Sequence, residues 1–296
     1  MIVRRRAVAL AAVAVVVVGA FALAKALPGS KPAPPPPAPV KIVRITIPEG
    51  ETRAQIALLA SAKGLMGSYL HAAARATTGS SRLLDPVRYG APRGAADPEG
   101  FLFPATYDLY AGSPASELVA EQLQAFEERF GPAEVRAARA LHITPYQLLT
   151  VASMVEREAV LPGDRPKIAA VIYNRLRLGM PLGIDATIYY AVEQHLRVPT
   201  YAGELTEAQL HIDSPYNTRM HTGLPPTPIS NPGMASIEAA AHPAHASYLY
   251  YVAGADGCGE QVFSNTAAQF EANVAAYQAA VAHNGGRPPV CRRKGR

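Results

Sequence analysis

The sequence predicts an α+β protein in which a small β-α-α-β module is followed by a mainly helical domain with a few strands. Two observations support this fold class. Between residues 41 and 112, segments with alternating apolar residues flank two segments with helical spacing. From residue 115 onward, apolar residues recur at helical spacing in most segments. With 296 residues, 49% of them hydrophobic, the chain is long enough for one large core or two smaller ones.

Residues 1–25 are predicted to form a short cytoplasmic stub and a single transmembrane anchor. Three arginines at positions 4–6 precede a run of eighteen uncharged apolar residues at 7–24. This length is at the lower limit for crossing a hydrocarbon core of ~30 Å. The preceding arginines favour an N-terminus inside the cell and an exported remainder. A cleaved signal peptide is the alternative, because residues 22–24 resemble a small-x-small cleavage site.

Residues 26–40 are predicted to be a linker because they are rich in proline. Proline fixes φ near −65° and has no amide donor, so the stretch 28–40 favours polyproline II structure. At ~3.1 Å per residue, it would hold the folded part about 35–40 Å from the membrane. Such a spacer suits an enzyme whose substrate lies above the bilayer.

The module at 41–112 is predicted from changes in the hydrophobic period. Apolar residues alternate along its first segment, which Pro48 and Gly50 close. In chain order we predict a strand, two helices, a loop rich in Gly, Pro, Ser and Arg, and a second strand, at 41–50, 51–65, 66–76, 77–98 and 101–112. This order resembles a LysM-type module, a small glycan-binding fold.

Residues 113–285 are predicted to form the mainly helical domain, and a basic tail follows at 286–296. The periodicity places its helices at 115–129, 132–141, 145–160, 166–178, 185–195, 235–241 and 266–283. A further strand is predicted at 247–254.

One long segment of this domain, 213–233, is rich in Pro, Gly and Asn and has no period of its own. A loop of this length inside a compact domain is usually functional or disordered. Its mixture of Tyr216, Leu224 and Ile229 with rigid prolines favours a functional loop.

The net charge of +5 arises largely from basic residues at the two ends of the chain. Because the middle of the chain has no basic stripe interleaved with aromatic residues, the sequence argues against nucleic-acid binding. The basic tail suits either a solvated end or contact with anionic lipid or wall polymer. Cys258 and Cys291 cannot form a zinc site alone, but in an oxidising compartment they could form one disulfide between the domain and its tail.

The sequence lacks the common motifs of metal and nucleotide chemistry. His242 and His245 lie three residues apart, without the arrangement of an H-E-x-x-H site. There is also no P-loop, no Rossmann glycine pattern and no G-x-S-x-G elbow. We therefore expect neither a metal nor a cofactor.

The helix predicted at 145–160 contains the most informative residue, Glu156. On a helical wheel, Glu156 lies about 40° from Ala152, inside an apolar stripe. Desolvation on such a face raises the pKa of a carboxyl group, as a general acid requires. The alternative is a structural glutamate paired with a buried arginine. Arg157 and Glu158 point to the other half of the helix, so a substitution of Glu158 is expected to have little effect.

Two charged residues on the following helices are relevant to this site. Arg175 lies in the apolar stripe of the helix predicted at 166–178. It could pair with Glu156, with a backbone carbonyl or with the substrate. Asp185 begins the next helix and is expected to be its N-cap rather than a catalytic group.

Several segments resemble the YceG-like family, the membrane-bound endolytic murein transglycosylases. Beginning with EGFLFPATY, the matching segments lie in series at 99–107, 152–159, 168–191, 214–244, 248–253 and 262–266. Their order and spacing cover roughly residues 41–280, and a series of long matches is far more specific than any single motif.

The resemblance implies that Glu156, the first glutamate of the family's V-E-[KR]-E run, is the catalytic acid/base. It also implies that Y-N-T and G-L-P-P loops contribute to a glycan-binding cleft. Together with Arg175, the candidate substrate-binding residues are therefore Tyr216, Asn217, Thr218, Gly223, Leu224 and Pro225. The chain departs from the family pattern at Arg219, Thr227, Glu260 and Gln261.

The activity implied by the resemblance is endolytic lytic cleavage of MurNAc–GlcNAc bonds in peptidoglycan. Glu156 would protonate the glycosidic oxygen and then accept the proton of the sugar's own 6-hydroxyl, which gives a 1,6-anhydroMurNAc end. Such an enzyme remodels the wall or terminates the elongation of nascent strands, with peptidoglycan synthases as expected protein partners. It would act on the outer side of the cell membrane.

Two other functions fit parts of the sequence. A non-catalytic glycan-binding anchor would depend on the LysM-like module and not on Glu156. A true hydrolase would need a second carboxylate near Glu156, for which Asp185 and Asp213 are the candidates. Anhydro ends, reducing ends or uncut strands would distinguish the three.

Overall fold

A computed structural model describes residues 41–79 and 82–291 of the chain. The predicted stub, anchor and linker at 1–40 lie outside these residues, as does the part of the basic tail after residue 291. Within the described residues, no helix is both long enough and apolar enough to cross a membrane.

The described residues form mostly helices with two pairs of short strands, in agreement with the α+β prediction. In chain order they are β1 (Ile42–Thr46), α1 (Arg53–Ala62), α2 (Tyr69–Ala76), β2 (Thr106–Tyr110), α3 (Ala115–Arg129), α4 (Pro132–Ala140), α5 (Pro145–Glu158), α6 (Arg165–Arg177), α7 (Asp185–Leu196), α8 (Glu207–Leu210), α9 (Met234–Ala241), β3 (Tyr250–Ala253), β4 (Gln261–Ser264) and α10 (Ala267–His283). Single 3-10 turns occur at Pro86–Tyr89 and Pro162–Asp164. The sequence analysis did not predict α8 and β4. Each is only four residues long, and so short a segment shows no clear hydrophobic period.

The first two strands form an antiparallel pair, and α1 and α2 lie between them in the sequence. Ile42 pairs with Tyr110 and Thr46 with Thr106, so both strands are paired along their full length. The β-α-α-β order is thus confirmed, while the LysM identity of this module stays a prediction.

The second strand begins at Thr106, later than the 101 predicted. The amides of Gly100 and Leu102 both donate to the side-chain oxygen of Asn231, at 2.9 Å each. These donors are therefore used by a side chain from the distant loop 213–233 and not by a neighbouring strand. Hydrophobic residues in this stretch, such as Phe101, are buried all the same.

Helix α5 is the central element of the helical part. Thr144 caps its N-terminus, where the Thr144 hydroxyl accepts from the Gln147 amide and the Gln147 side chain accepts from the Thr144 amide. The helix is buried continuously from Leu148 to Val155. It contacts α4, α6, α7 and α9, so its last turn lies among several other elements.

One hydrophobic core extends across the boundary predicted between residues 112 and 113. It contains Ile45 from β1 and Ile56 from α1 together with Leu148 of α5 and Ile237 of α9. The module and the helical domain that the sequence predicted therefore share one continuous core.

The chain ends in a β3–β4 hairpin covered by α10. Tyr250 pairs with Ser264 and Ala253 with Gln261, and α10 packs against both strands. A disulfide between Cys258 in the hairpin turn and Cys291 ties the end of the described chain to this hairpin. The pairing left open by the sequence is thus present in the structure.

Candidate active site

The last turn of α5 presents two glutamates to different surroundings. Glu156 has a side chain that is only 7% exposed. Its Oε2 accepts a hydrogen bond of 3.0 Å from the amide of Gly233, which precedes α9. Its Oε1 lies 3.7 Å from the guanidinium of Arg165. The group with which Glu156 forms an ion pair is therefore Arg165, which the sequence had not singled out.

A second carboxylate reaches the same place from the β1–α1 turn. The side chain of Glu49 lies so close to the α-carbon of Gly233 that any side chain there would displace it. Burial first, and then the negative charge of Glu156, raise the pKa of Glu49. Arg165, which also donates to the hydroxyl of Ser236 at 3.1 Å, offsets part of this rise. These contacts join α5, α9 and the β1–α1 turn.

Glu158 lies on the other side of α5, where the sequence predicted little effect of substitution. The structure adds that α7 and β3 enclose this side chain, and the expected effect of a substitution stays a prediction. The hydroxyl of Tyr251 donates to Oε2 of Glu158 at 3.0 Å, and the amide of Ala186 makes a longer contact of 3.5 Å with Oε1. Burial raises the pKa of Glu158, and these two donors offset part of the rise.

An open cleft of about 410 Å³ adjoins Glu158. Its lining consists of acidic, basic, aromatic and small residues: Arg157, Glu158, Asp185, Ala186, Tyr189, Tyr201, Ala202 and Gly203. Glu156 does not line it. The cleft therefore brings a carboxyl group of raised pKa together with tyrosines and an arginine, a combination suited to a polar ring-shaped ligand.

The start of α7, which forms one wall of this cleft, is held in place by Thr218. The Thr218 hydroxyl accepts a hydrogen bond of 3.0 Å from the amide of Ile184 and lies 2.9 Å from the hydroxyl of Thr187. The Thr218 carbonyl accepts from the Gly183 amide at 2.9 Å. Thr218 is buried, so it positions the wall.

Asp185 does not have the role of N-cap that the sequence predicted. Ile184 occupies the N-cap position, and Asp185 is the first residue of α7. The Asp185 carboxylate instead forms an ion pair of 2.7 Å with Arg219, at the rim of the cleft. Arg219 is one of the positions at which the chain departs from the family pattern. Because Arg219 offers the Asp185 carboxylate a charged partner, this carboxylate does not cap the helix.

Arg175 makes its hydrogen bonds with backbone carbonyls, one of the three partners considered for it. Its Nε donates to the carbonyl of Leu249 at 2.6 Å, and its Nη1 donates to that of Leu182 at 2.6 Å. Burial lowers the pKa of Arg175. Leu249 precedes β3, which carries Tyr251, and Leu182 precedes α7, so Arg175 connects this strand to the segment before α7.

The other residues of the two family loops lie outside the lining of this cleft. The Tyr216 hydroxyl lies 2.9 Å from that of Thr227, and its ring packs at 4.9 Å against Tyr190. Asn217 is buried and donates to two carbonyls of its own segment.

The G-L-P-P loop follows a contact between Pro181 and Thr222 that fastens it beside the start of α7. Gly223 has φ of +92°, a conformation that favours glycine. Leu224 is half-buried and Pro225 is buried. Their part in glycan binding stays a prediction.

A buried glutamate that the sequence analysis did not single out lies between the module and the helical part. Glu99 accepts from the Asn231 side chain at 2.7 Å and from the Arg53 amide at 3.0 Å. The Arg53 guanidinium lies 3.8 Å away. Burial raises the pKa of Glu99 to about 8, although Arg53 acts in the opposite direction. In the sequence, Glu99 is the only acidic residue of the EGFLFPATY segment, and nothing in that segment indicates that its carboxyl group is buried.

Among the described residues, no group of three or more His, Cys, Asp and Glu side chains is placed to hold a metal ion. His242 and His245 are both exposed.

Comparison with known proteins relates the chain to one family. The sequence model of the YceG-like family matches residues 21–276. The endolytic murein transglycosylase of Bacillus subtilis (strain 168) is 41% identical over 172 residues, which are 57% of this chain and 44% of that protein. The protein of the same name from Streptococcus pneumoniae serotype 2 (strain D39 / NCTC 7466) is 34% identical over 177 residues, 60% of this chain and 32% of that protein. The chain thus covers less than half of the length of these curated relatives.

Among solved structures, the crystal structure of a putative yceG-like protein, lmo1499 from Listeria monocytogenes, has a TM-score of 0.64 with this chain. The two are 30% identical, and the match covers 77% of this chain and 74% of that one.

Proposed function

The chain belongs to the YceG-like family, and from that premise we propose that it is a lytic transglycosylase that cleaves MurNAc–GlcNAc bonds within peptidoglycan strands. The observation that carries the proposal is the enclosed carboxyl group of Glu156 at the end of α5, which faces the Gly233 amide and the Arg165 guanidinium. The relatives named endolytic murein transglycosylase support the substrate class.

We assign the acid/base role to Glu156, the first glutamate of the V-E-[KR]-E run that the chain shares with its family. Its side chain is enclosed at the end of α5, where the Gly233 amide donates to its Oε2 and Arg165 faces its Oε1. Glu158 is the alternative carboxyl group, because it lines the cleft and burial raises its pKa.

The reaction needs only one carboxyl group. Glu156 donates its proton to the glycosidic oxygen as the bond from that oxygen to the anomeric carbon breaks. The sugar's own 6-hydroxyl then attacks the anomeric carbon and gives its proton to the Glu156 carboxylate. The products are a 1,6-anhydroMurNAc end and a free GlcNAc hydroxyl, and the acid is regenerated. The Gly233 amide and the Arg165 guanidinium stabilise the carboxylate between the two steps.

A hydrolase is the second candidate, and it would need a second carboxylate near Glu156, for which Asp185 in the cleft at the end of α5 is one choice. A second carboxylate can activate a water molecule or act as the nucleophile, and the product then has a reducing end. The ion pair of Asp185 with Arg219 turns this carboxylate to the rim. Asp213, the other carboxylate considered for this role, is exposed and does not line the cleft.

Mass spectrometry of digested glycan strands tests the proposal. Purified sacculi or nascent strands are incubated with the protein, and the new ends are separated and weighed. Anhydro ends that depend on Glu156 support a lytic transglycosylase. Reducing ends support the hydrolase, and intact strands that are still bound support a glycan-binding anchor.

The finer cellular role is also part of the proposal. A strand-cutting enzyme anchored on the outer face of the cell membrane, beside peptidoglycan synthases, would terminate the elongation of new strands. The arginines and apolar run at 4–24 support the anchor. After a high-salt wash the full chain should stay with membranes and be released by detergent. A mature protein that starts near Lys25 in the soluble exported fraction would establish a cleaved signal peptide instead.

A further inference from the structure

The side chain of Asn231 is completely buried and uses every hydrogen-bonding position that it has. Its Oδ1 accepts from the amides of Gly100 and Leu102, at 2.9 Å each. Its Nδ2 donates to the carbonyl of Glu51 at 3.0 Å and to Oε1 of Glu99 at 2.7 Å. A side-chain amide has two donor hydrogens and two acceptor lone pairs, so all four are engaged. The side chain therefore joins the loop 213–233 to two separate segments of the β-α-α-β module.

The main chain of Asn231 is bonded to one of these segments, the β1–α1 turn. Its amide donates to the carbonyl of Glu51 at 3.0 Å, and its carbonyl accepts from the amide of Gly50 at 2.9 Å. A β-carbon added to Gly50 would lie 3.4 Å from Cγ of Glu156, so this turn packs directly on the stem of the Glu156 side chain. Asn231 thus fixes one wall around Glu156.

A second group that contacts Glu156 lies just after Asn231 in the chain. The amide of Gly233 donates to Oε2 of Glu156 at 3.0 Å. Only Pro232 separates the two residues, and its ring fixes φ, so few rotations lie between Asn231 and this amide. The place of Asn231 therefore largely determines where the Gly233 amide points.

The part of the loop before Asn231 is fastened separately, to the middle of α5. The amide of Ile229 donates to Oγ of Ser153 at 3.0 Å, and the hydroxyl of Ser230 donates to the carbonyl of Ser153 at 3.1 Å. These bonds hold the approach to Asn231, whereas Asn231 itself holds the part of the loop that reaches Glu156.

Resting on the proposed role of Glu156 as the acid/base, we infer that Asn231 is a positioning residue of the reaction. It acts through Gly233 and Gly50, which hold the carboxyl group of Glu156 in the orientation in which it exchanges protons with the glycan. The partners of Asn231 at residues 50, 51, 99, 100 and 102 all belong to the β-α-α-β module. The module thus contributes to catalysis by orienting the acid.

The experiment compares Asn231→Ala with Asn174→Ala, its matched control. Asn174 is a buried asparagine of α6, and its Nδ2 donates to the carbonyls of Ala246 and Tyr248, at 2.9 Å each. Both substitutions remove a buried amide with two acceptors, so both should lower the temperature of thermal unfolding. Strand cutting is measured at a temperature at which both variants remain folded.

In Asn231→Ala, kcat should fall by about tenfold to a hundredfold, because the acid is misplaced, while KM changes by less than about threefold. Asn174→Ala should keep the wild-type kcat. A loss that follows from lower stability alone would appear in both variants, so the comparison separates orientation of Glu156 from support of the fold.

A second readout does not depend on activity. In the wild type the amide proton of Gly233 is donated to a carboxylate, so its exchange with solvent should be slow. NMR of the full chain in detergent micelles, without glycan, measures this exchange. It should become faster in Asn231→Ala and stay slow in Asn174→Ala.

A reversed hydrogen bond provides a further variant in case Asn231→Ala does not fold. Asn231→Asp keeps the shape of the side chain but places a carboxylate against that of Glu99, so kcat should fall. Adding Glu99→Gln replaces that carboxylate by an amide that donates in the opposite direction, so the double variant should recover most of the lost kcat.

An Asn231→Ala variant with the wild-type kcat or the wild-type exchange of the Gly233 amide would overturn the inference. So would an equal loss of kcat in Asn174→Ala, or a double variant no more active than Asn231→Asp alone. A wild-type protein that cuts no strands would instead overturn the proposed function. The exchange of the Gly233 amide would still decide whether Asn231 holds that amide in place.

Discussion

The hydroxyl of Tyr251 lies 3.0 Å from Oε2 of Glu158 and donates a hydrogen bond to it. This bond favours the carboxylate and so lowers the pKa of Glu158, whereas burial raises it by more. The pKa of Tyr251 is itself raised, by burial first and by the charge of Glu158 second, so the phenol keeps its proton and remains a donor. The pair therefore sets how readily Glu158 gives up a proton.

Replacing Tyr251 with Phe is expected to raise the pKa of Glu158 further, because the donor is lost while the burial remains. The titration of the Glu158 carboxyl group should therefore occur at higher pH in Y251F than in the wild type. The measurement is the pH titration of the Glu158 carboxyl carbon by NMR.

Tyr250→Phe is the matched control for this variant. The hydroxyl of the neighbouring Tyr250 makes no hydrogen bond with another described residue, and its ring stacks on Phe270 at 5.2 Å. In this control Glu158 should titrate as in the wild type. A titration displaced to lower pH in Y251F would contradict the stabilising effect of the Tyr251 hydroxyl on the carboxylate.

The two glutamates of α5 can be separated by the same substitution at each. Glu156→Gln cannot donate a proton, so cutting should fall by about a hundredfold or more. It also loses the charge that faces Arg165, so it should destabilise the fold by roughly 1–3 kcal/mol. Glu158→Gln keeps an acceptor for Tyr251, and its cutting rate should fall by less than about tenfold. Strand-cutting rates and thermal unfolding measured on both variants decide between them. The reverse pattern would move the catalytic role to Glu158.

The helix that carries both glutamates shows what the sequence could predict. Its apolar stripe predicted α5 and the enclosure of Glu156. A helical wheel gives the direction of a side chain but not what covers it. Glu158 is covered by Tyr251 and by the start of α7, which lie 93 and 28 residues away in the chain.

Distant partners account for the other corrections as well. Arg165, Glu49 and Gly233 meet Glu156 from three different segments. No periodicity in any one segment indicates that they meet. Likewise Asp185 had the sequence position of a cap, but Arg219 offers its carboxylate a stronger partner than a backbone amide.

Glu99 should make stability depend on pH. Its pKa is raised from 4.5 in the unfolded reference to about 8 in the folded protein. Between these values the folded state binds more protons than the unfolded state, so the free energy of unfolding falls as pH rises through this window. Stability from this group is fully present below the unfolded pKa and is lost above about 8. We expect a decline on the order of a few kcal/mol.

Urea unfolding at about pH 5, 7 and 9 measures this decline. Glu99→Gln cannot titrate, so its free energy of unfolding should change less over the same range. If wild type and variant decline in parallel, Glu99 is not the group responsible.

The disulfide between Cys258 and Cys291 should stabilise one end of the molecule more than the rest. It closes a separation of 33 residues, for which the restriction of the unfolded chain is worth about 2–4 kcal/mol. The double variant Cys258→Ser/Cys291→Ser should lose roughly that amount, and a reductant should destabilise the wild type but not the variant. Because α10 has no buried residue and packs on the β3–β4 hairpin, the loss should be local. Hydrogen exchange should become faster in α10 and the hairpin and stay slow in α5. Equal acceleration in α5 would show that the disulfide supports the whole core, and an unchanged rate everywhere would show that it supports neither.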